Sequence, residues 1–208
     1  MKLYSMELSG HAHRAVLCAS LLGLKPQIIN VDLRNGEHKQ VAFLAVNPFG
    51  QVPALEDDGV TLYDSNAILV YLASKYDSAQ TWYPSDPVIA AKVQIWLSKA
   101  ANELANSVAA ARLVTVFGAG FDHQMLLDKS AVYLAKVDEH LRGQSWFVGE
   151  NPTIADIAQY SYIAHAPEGG IDLRLYPNIK SWLRRVEKLP GFIPMKSTDT
   201  AAKQAFGS

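Results

Sequence analysis

One cysteine, Cys18, stands among 208 residues. No disulfide can close within the chain and no cysteine-built metal site can be assembled, so a reducing compartment is expected. Neither sign of charge is in useful excess. The 19 Lys and Arg against 20 Asp and Glu leave a formal net charge of −1, which removes the basic field that nucleic acid or an anionic membrane would need. Long apolar runs are missing too. The stretch after Met1-Lys2 is interrupted by Glu7, His11 and His13, which suits neither a signal-peptide core nor a span of about twenty apolar residues. A cytoplasmic protein is expected, free of internal repeats and low-complexity segments. What is present is apolar content, 49% of residues, enough for one large or two small cores. Small molecules or proteins are the partners such a chain suits.

The apolar pattern changes period along the chain. Lys2-Leu3-Tyr4 reads as a buried strand, residues 6–10 as a loop, and residues 13–22 as a helix closed by Gly23 in the left-handed conformation. Residues 28–33 read as a second strand, and the intervening helix makes the pair parallel. Arg34-Asn35-Gly36 is a turn, and residues 38–46 hold a short irregular helix. After residue 77 the composition shifts to Ser, Asp, Pro and Thr, which reads as a linker over 78–86. Asp86-Pro87 then starts a long amphipathic helix that reaches Phe117 and stops at Gly118 and Gly120. Asp122 caps another, with Met125, Leu126, Leu134, Val137 and Leu141 inward and Lys129, Lys136 and Glu139 outward. Thr153 and Asp156 have the spacing of a capping box. Pro177, Ile179, Trp182, Leu183 and Val186 mark a last helix, and residues 196–208 a loose or loosely docked tail. Trp96, Trp146, Phe147 and Trp182 are expected in the core.

Residues 47–68 hold the most informative stretch. Asn47-Pro48 and Phe49-Gly50 are turn dipeptides, after which the chain enters a strand at Val52-Pro53. A proline there marks a sheet edge or a cis bond. A cis bond would turn the Val52 N–H and C=O outward to pair with a ligand backbone as an added strand. Asp57-Asp58-Gly59 makes a hairpin with positive φ at Gly59, and the second strand runs into a helix capped by Asp64 or Ser65. A helix N-terminus offers free N–H groups, so a carboxylate can sit at Ser65, and Asp64 can meet an ammonium. These features suit a peptide with a free amino-acid end.

Asn-Pro-Phe-Gly-Gln-Val-Pro, followed by an acidic residue, Ser and Ala-Ile, resembles the glutathione-binding half of the soluble glutathione transferases. Gly36-Glu37-His38-Lys39 upstream and Thr153-Ile154-Ala155-Asp156 downstream follow in that family's order. The resemblance implies a thioredoxin-like α/β domain over 1–77 and an all-helical domain over 87–208. It implies a bacterial-type member pairing as a homodimer, with Phe49 either plugging into the partner subunit or filling a local core. Glutathione is the implied co-substrate, held by His38, Lys39, Gln51, Val52, Pro53, Asp64 and Ser65. In that family a Tyr, Ser or Cys in the first loop ionises the thiol. Ser9 matches that place, with His11 as its rival and capping of the first helix as its other role. Lowering a thiol pKa from about 8.5 to about 6.5 takes about 2.7 kcal/mol, which one hydroxyl and a helix N-terminus can supply. Cys18, inside the helix, does not match the cysteine-type loop and reads as core. The wall for a small apolar electrophile would include Leu8, Ala109, Arg112, Leu113 and Val116, unless that stripe is core. Conjugation is the expected reaction. Disulfide or peroxide reduction by glutathione, and a non-catalytic binding module, are the alternatives. His13 reads as surface or as a structural hydrogen bonder. His11-x-His13 lacks a third metal ligand, no metal is expected, and Leu8-Ser9-Gly10 lacks a hydrolase elbow.

Overall fold

The computed structural model describes residues 1–198. The first unit is a four-stranded sheet of order β2-β1-β3-β4, with β1 at Lys2–Ser5, β2 at Gln27–Asn30, β3 at Ala54–Asp57 and β4 at Val60–Tyr63. β1 runs parallel to β2 and antiparallel to β3, with Leu3 opposite both Ile28 and Leu55. β3 and β4 form the expected hairpin, turned by Asp58 and Gly59, both at positive φ. Three helices belong to this unit: α1 (Gly10–Leu21), the single-turn α2 (Val41–Leu44) after a 3-10 turn at Glu37–Lys39, and α3 (Ser65–Tyr76). Val52-Pro53 is the cis bond that its sequence raised. Pro53 lies just before an interior strand rather than on a lateral edge.

The second unit is helical. Pro87–Lys99 (α4) is capped by Asp86, whose carboxylate accepts from the Val88 and Ile89 N–H groups. It continues without a break through Ala100–Ala109 into α5 (Ala110–Phe117), ended by Gly118 at φ 70. The middle stretch is wound as a π-helix, which periodicity did not foresee. Within it Ser107 Oγ donates to the Glu103 carbonyl at 2.6 Å, a local back-bond of the kind that bends helices. Then follow α6 (His123–His140), α7 (Ile154–Ala164) and α8 (Pro177–Val186). The capping box at α7 is complete.

One apolar core spans both units. Leu3, Leu17, Leu55, Leu69 and Leu72 of the first are continuous with Leu97, Leu104, Ile157 and Ile163 of the second, each buried side chain contributing roughly 1.5–3 kcal/mol. Asn66 Nδ2 donates to the Leu97 carbonyl at 2.9 Å and Gln159 Nε2 to the Trp96 carbonyl at 2.9 Å, tying α3 and α7 to α4.

Several local expectations are corrected. α1 begins at Gly10, three residues early, because Ser9 caps it by accepting from the Ala12 N–H. β2 ends at Asn30, since Asp32 and Leu33 turn toward the Glu37–Lys39 segment. Met125 is exposed rather than inward, while Trp96 and Trp146 are only half-buried. The start of the expected tail is docked, Lys196 Nζ lying 2.6 Å from Glu7 Oε1 beside the buried Met195. Positions 199–208 of the expected loose tail lie outside the described residues.

Candidate active site

A cleft of about 1170 Å³ opens between the N-terminal end of α1, the Gln51-Val52-Pro53 bend, the start of α3 and the α4–α5 helix. Asn47 shapes the bend. Its Nδ2 donates to the Gln51 carbonyl at 2.7 Å while its Oδ1 accepts from the Phe49 N–H at 3.0 Å. Among the described residues nothing hydrogen-bonds to the Val52 N–H. Asp64 caps α3 through Oδ1, which accepts from the Asn66 and Ala67 N–H groups. The Asp64 and Ser65 side chains both line the cleft.

Beneath Ser65 lies Arg14, fully buried. Its Nη1 donates to His11 Nδ1 at 2.9 Å and to Ser65 Oγ at 3.3 Å, and its guanidinium lies 5.3 Å from the centre of the Tyr162 ring. Nε and Nη2 have no partner, and among the described residues Arg14 forms no ion pair. Burial lowers its pKa to about 10, with Tyr162, Asp64 and Tyr133 opposing, so it stays a cation at neutral pH. His11 is pushed down to about 3 by burial and then by Arg14. Its neutral imidazole therefore accepts at Nδ1, and it is too weak a base to take a thiol proton near pH 7.

The expected glutathione residues His38, Gln51, Val52, Pro53, Asp64 and Ser65 all line this one cleft, together with Ser9 and His11. Lys39 does not. It is exposed on the 3-10 turn, and Arg34 lines the cleft with His38 instead. On the opposite wall stand Leu8, Ala109, Leu113 and Val116. Arg112 is a correction. Only 1% exposed, it faces Glu168 rather than the cleft. Sequence reasoning missed Ala105, Phe117 and Tyr162 on this wall. The signal for Tyr162 was Gly10, where a Cβ would stand 2.7 Å from the Tyr162 ring. His13 is buried, not on the surface, pairing with Ser161 Oγ at 2.8 Å and the Ile193 carbonyl at 3.0 Å. Cys18 is wholly buried, and burial raises its thiol pKa. Phe49 is 72% exposed, its ring 5.6 Å from that of Tyr63, which removes the local-core reading. Among the described residues no group of three His, Cys, Asp or Glu could hold a metal, and no helix is long and apolar enough to cross a membrane.

Residues 8–75 match the glutathione S-transferase N-terminal domain and residues 122–190 the C-terminal domain. Glutathione S-transferase 3 of Zea mays is 34% identical over 204 residues, covering 92% of this chain and 91% of the relative. The chain belongs to the glutathione S-transferase family. Glutathione S-transferase theta-1 of Rattus norvegicus is 32% identical, covering 92% of this glutathione transferase and 84% of the rat protein. Among solved structures, a glutathione S-transferase from Pseudomonas fluorescens superposes with a TM-score of 0.87 at 34% identity, covering 94% of this chain and 98% of that one. A glutathione transferase homologue from Drosophila mojavensis, solved with bound glutathione, gives 0.83 at 27% identity, with 97% and 93% covered.

Proposed function

We propose that this glutathione transferase binds reduced glutathione across the α1–β3–α3 end of its first unit and joins the sulfur to a small apolar electrophile. The observation that carries the reading is Arg14. A buried guanidinium with unpaired N–H groups and no carboxylate partner leaves positive charge under the Ser65 seat, and an α3 N-terminus adds to it. An anion at Ser65 balances that charge, and the α-carboxylate of the γ-glutamyl end supplies one. Asp64, its second oxygen free of the cap, takes the neighbouring ammonium. The open Val52 N–H pairs with the cysteinyl main chain as an added strand. Gln51, His38 and Arg34 receive the glycine end, with Lys39 further out.

In this pose the sulfur lies by Ser9 at the start of α1. The Ser9 hydroxyl donates to the thiolate and the first-turn N–H groups stabilise its charge, while the thiol proton leaves to solvent. The thiolate then attacks the electrophilic carbon. A carbon–sulfur bond forms, and the leaving group departs with the bonding electron pair. His11, neutral and already accepting from Arg14, is read as part of the carboxylate seat. Cys18, buried away from the cleft, supports a serine-type rather than cysteine-type member. The same reading takes residues 1–77 as the glutathione-binding domain, 78–86 as a linker and 87–208 as the domain that bears the electrophile wall. It also takes the protein as a cytoplasmic, bacterial-type homodimer in which the exposed Phe49 enters the partner subunit.

The test uses reduced glutathione and 1-chloro-2,4-dinitrobenzene, whose chloride is displaced by sulfur. Ser9→Ala should lower turnover and raise the pH at which kcat/KM reaches its plateau, while His11→Ala should chiefly raise the KM for glutathione. The opposite pattern would move the thiol-facing role to His11. Retention on immobilised glutathione without turnover of any electrophile would make the protein a binding module.

A further inference from the structure

Arg112 forms the most completely buried ion pair among the described residues, and it meets the cleft lining through the Leu8 carbonyl and the Phe117 ring, 5.8 Å from its guanidinium. Arg112 and Glu168 are each 1% exposed. Nε donates to Glu168 Oε2 at 2.6 Å, and Nη1 donates to the Leu8 carbonyl at 2.8 Å. The guanidinium fork therefore spans from the turn after α7 to the loop before α1. Glu168 is itself fixed on three sides. Its Oε1 accepts from His165 Nδ1 at 3.1 Å and from the Thr198 N–H at 2.8 Å, and its carbonyl accepts from Thr115 Oγ1 at 2.5 Å. The two backbones pack closely: a Cβ on Gly169 would stand 2.9 Å from the Arg112 backbone nitrogen.

Stability is a weak reason for such a pair, because burying two charges costs about what their attraction returns. The geometry around Leu8 gives a stronger one. Ser9 N–H donates to the Met6 carbonyl at 2.9 Å and Leu8 N–H to Met6 Sδ at 3.2 Å, which turns the loop. The Leu8 carbonyl belongs to the same peptide unit as the Ser9 nitrogen, so whatever holds it sets the plane from which the Ser9 side chain departs. We infer that Arg112, neutralised by Glu168, is a positioning residue that locks the Leu8-Ser9 peptide and so aims the Ser9 hydroxyl at the bound sulfur. This rests on the reading that Ser9 faces the thiol. The other charged or titratable groups around the loop are Glu7 with Lys196, His11, Arg14 and Asp64.

Arg112→Met alone would strand Glu168, so the main test is the pair Arg112→Met with Glu168→Gln, which removes both charges and keeps the volume. Arg112→Lys is the second variant, keeping the charge but losing the fork that reaches both partners. With reduced glutathione and 1-chloro-2,4-dinitrobenzene, the double variant should melt close to the parent protein. Its kcat/KM for glutathione should nonetheless fall about tenfold or more, with KM for the electrophile held within about twofold. The pH midpoint of kcat/KM should move upward, as in Ser9→Ala, and Arg112→Lys should move both in the same direction. A folded double variant or Arg112→Lys with the parent's kcat/KM and pH profile, while Ser9→Ala shifts both, would reduce the pair to packing and overturn the inference. If Ser9→Ala itself leaves the profile unmoved, the Ser9 reading fails and the inference falls with it.

Discussion

Asp156→Ala should cost this protein about 3 kcal/mol at neutral pH, and the cost should grow as the solution is acidified. The Asp156 side chain is 1% exposed. Oδ1 accepts from the Phe147 N–H at 3.1 Å and from Trp182 Nε1 at 2.9 Å, and Oδ2 accepts from the Thr153 N–H at 2.9 Å. Alanine leaves those three donors buried without an acceptor, at about 2 kcal/mol each. Against this stands the cost of ionising the wild-type carboxyl in the fold. Burial raises its pKa from 3.8 to about 6, with the Thr153, Phe147 and Trp182 donors opposing. That amounts to about 3 kcal/mol above pH 6, and alanine is spared it. Because the folded pKa lies above the unfolded one, the side chain's contribution is full below the unfolded value and is lost as pH rises through about 6. The gap between the parent and Asp156→Ala should therefore widen by about 1–2 kcal/mol on going from about pH 7.5 to about pH 5. Urea unfolding at fixed protein concentration reads it, provided the slope is unchanged. A loss below about 1 kcal/mol, or a gap that narrows in acid, would refute the reasoning. Since α7 carries Tyr162 in the cleft wall and Ser161 on His13, turnover should fail at the temperature where this cap melts.

Gly10→Ala should destabilise by about 1–3 kcal/mol through overpacking, because its Cβ meets the Tyr162 ring at 2.7 Å. Tyr162→Leu in the same chain should recover most of the loss, and additive effects in thermal melts would count against the contact. His13 is pushed down to about 4, by burial first, with the Ile193 carbonyl opposing and His165 assisting. A folded pKa below the unfolded 6.5 means that its stability contribution is complete above that value and is lost as pH falls toward 4. Wild-type urea midpoints should fall across this window by an amount corresponding to about 3 kcal/mol from this residue. His13→Gln should flatten the fall, and an equally steep fall in both proteins would exclude His13 as its source.

The elements that sequence punctuation marks are the ones the fold keeps. Asp86-Pro87, Gly118, Asp122, Asp58-Gly59 and the Thr153 to Asp156 box act within a few residues, so their chemistry is local and readable. The same holds for the Val52-Pro53 bend and the Asp64 cap of α3, which lie within one contiguous stretch. What stayed hidden depends on distant partners. Arg112 follows Ala109 by three residues on the same helix and so looks like cleft wall, yet Glu168, 56 residues on, turns it inward. His13 left surface and structural hydrogen bonding both open, and its partners, Ser161 and Ile193, settle it as the latter. Lys39 sits at the end of a 3-10 turn whose rotation sends it to solvent while His38 and Arg34 face the cleft. Tyr162 carries no motif of its own and enters the cleft because α1 and α7 pack closely at Gly10. The π-helical winding of residues 100–109 is a matter of hydrogen-bond register, which an apolar period does not record.

The central claim is that this cleft both seats glutathione and ionises its thiol. Calorimetric titration of the protein with reduced glutathione, in two buffers of different ionisation heat near neutral pH, measures binding and proton release together. The account predicts association with release of most of a proton for reduced glutathione, none for S-methylglutathione, and diminished release in Ser9→Ala. No heat of association, or binding of reduced glutathione with the thiol proton still attached, would contradict it.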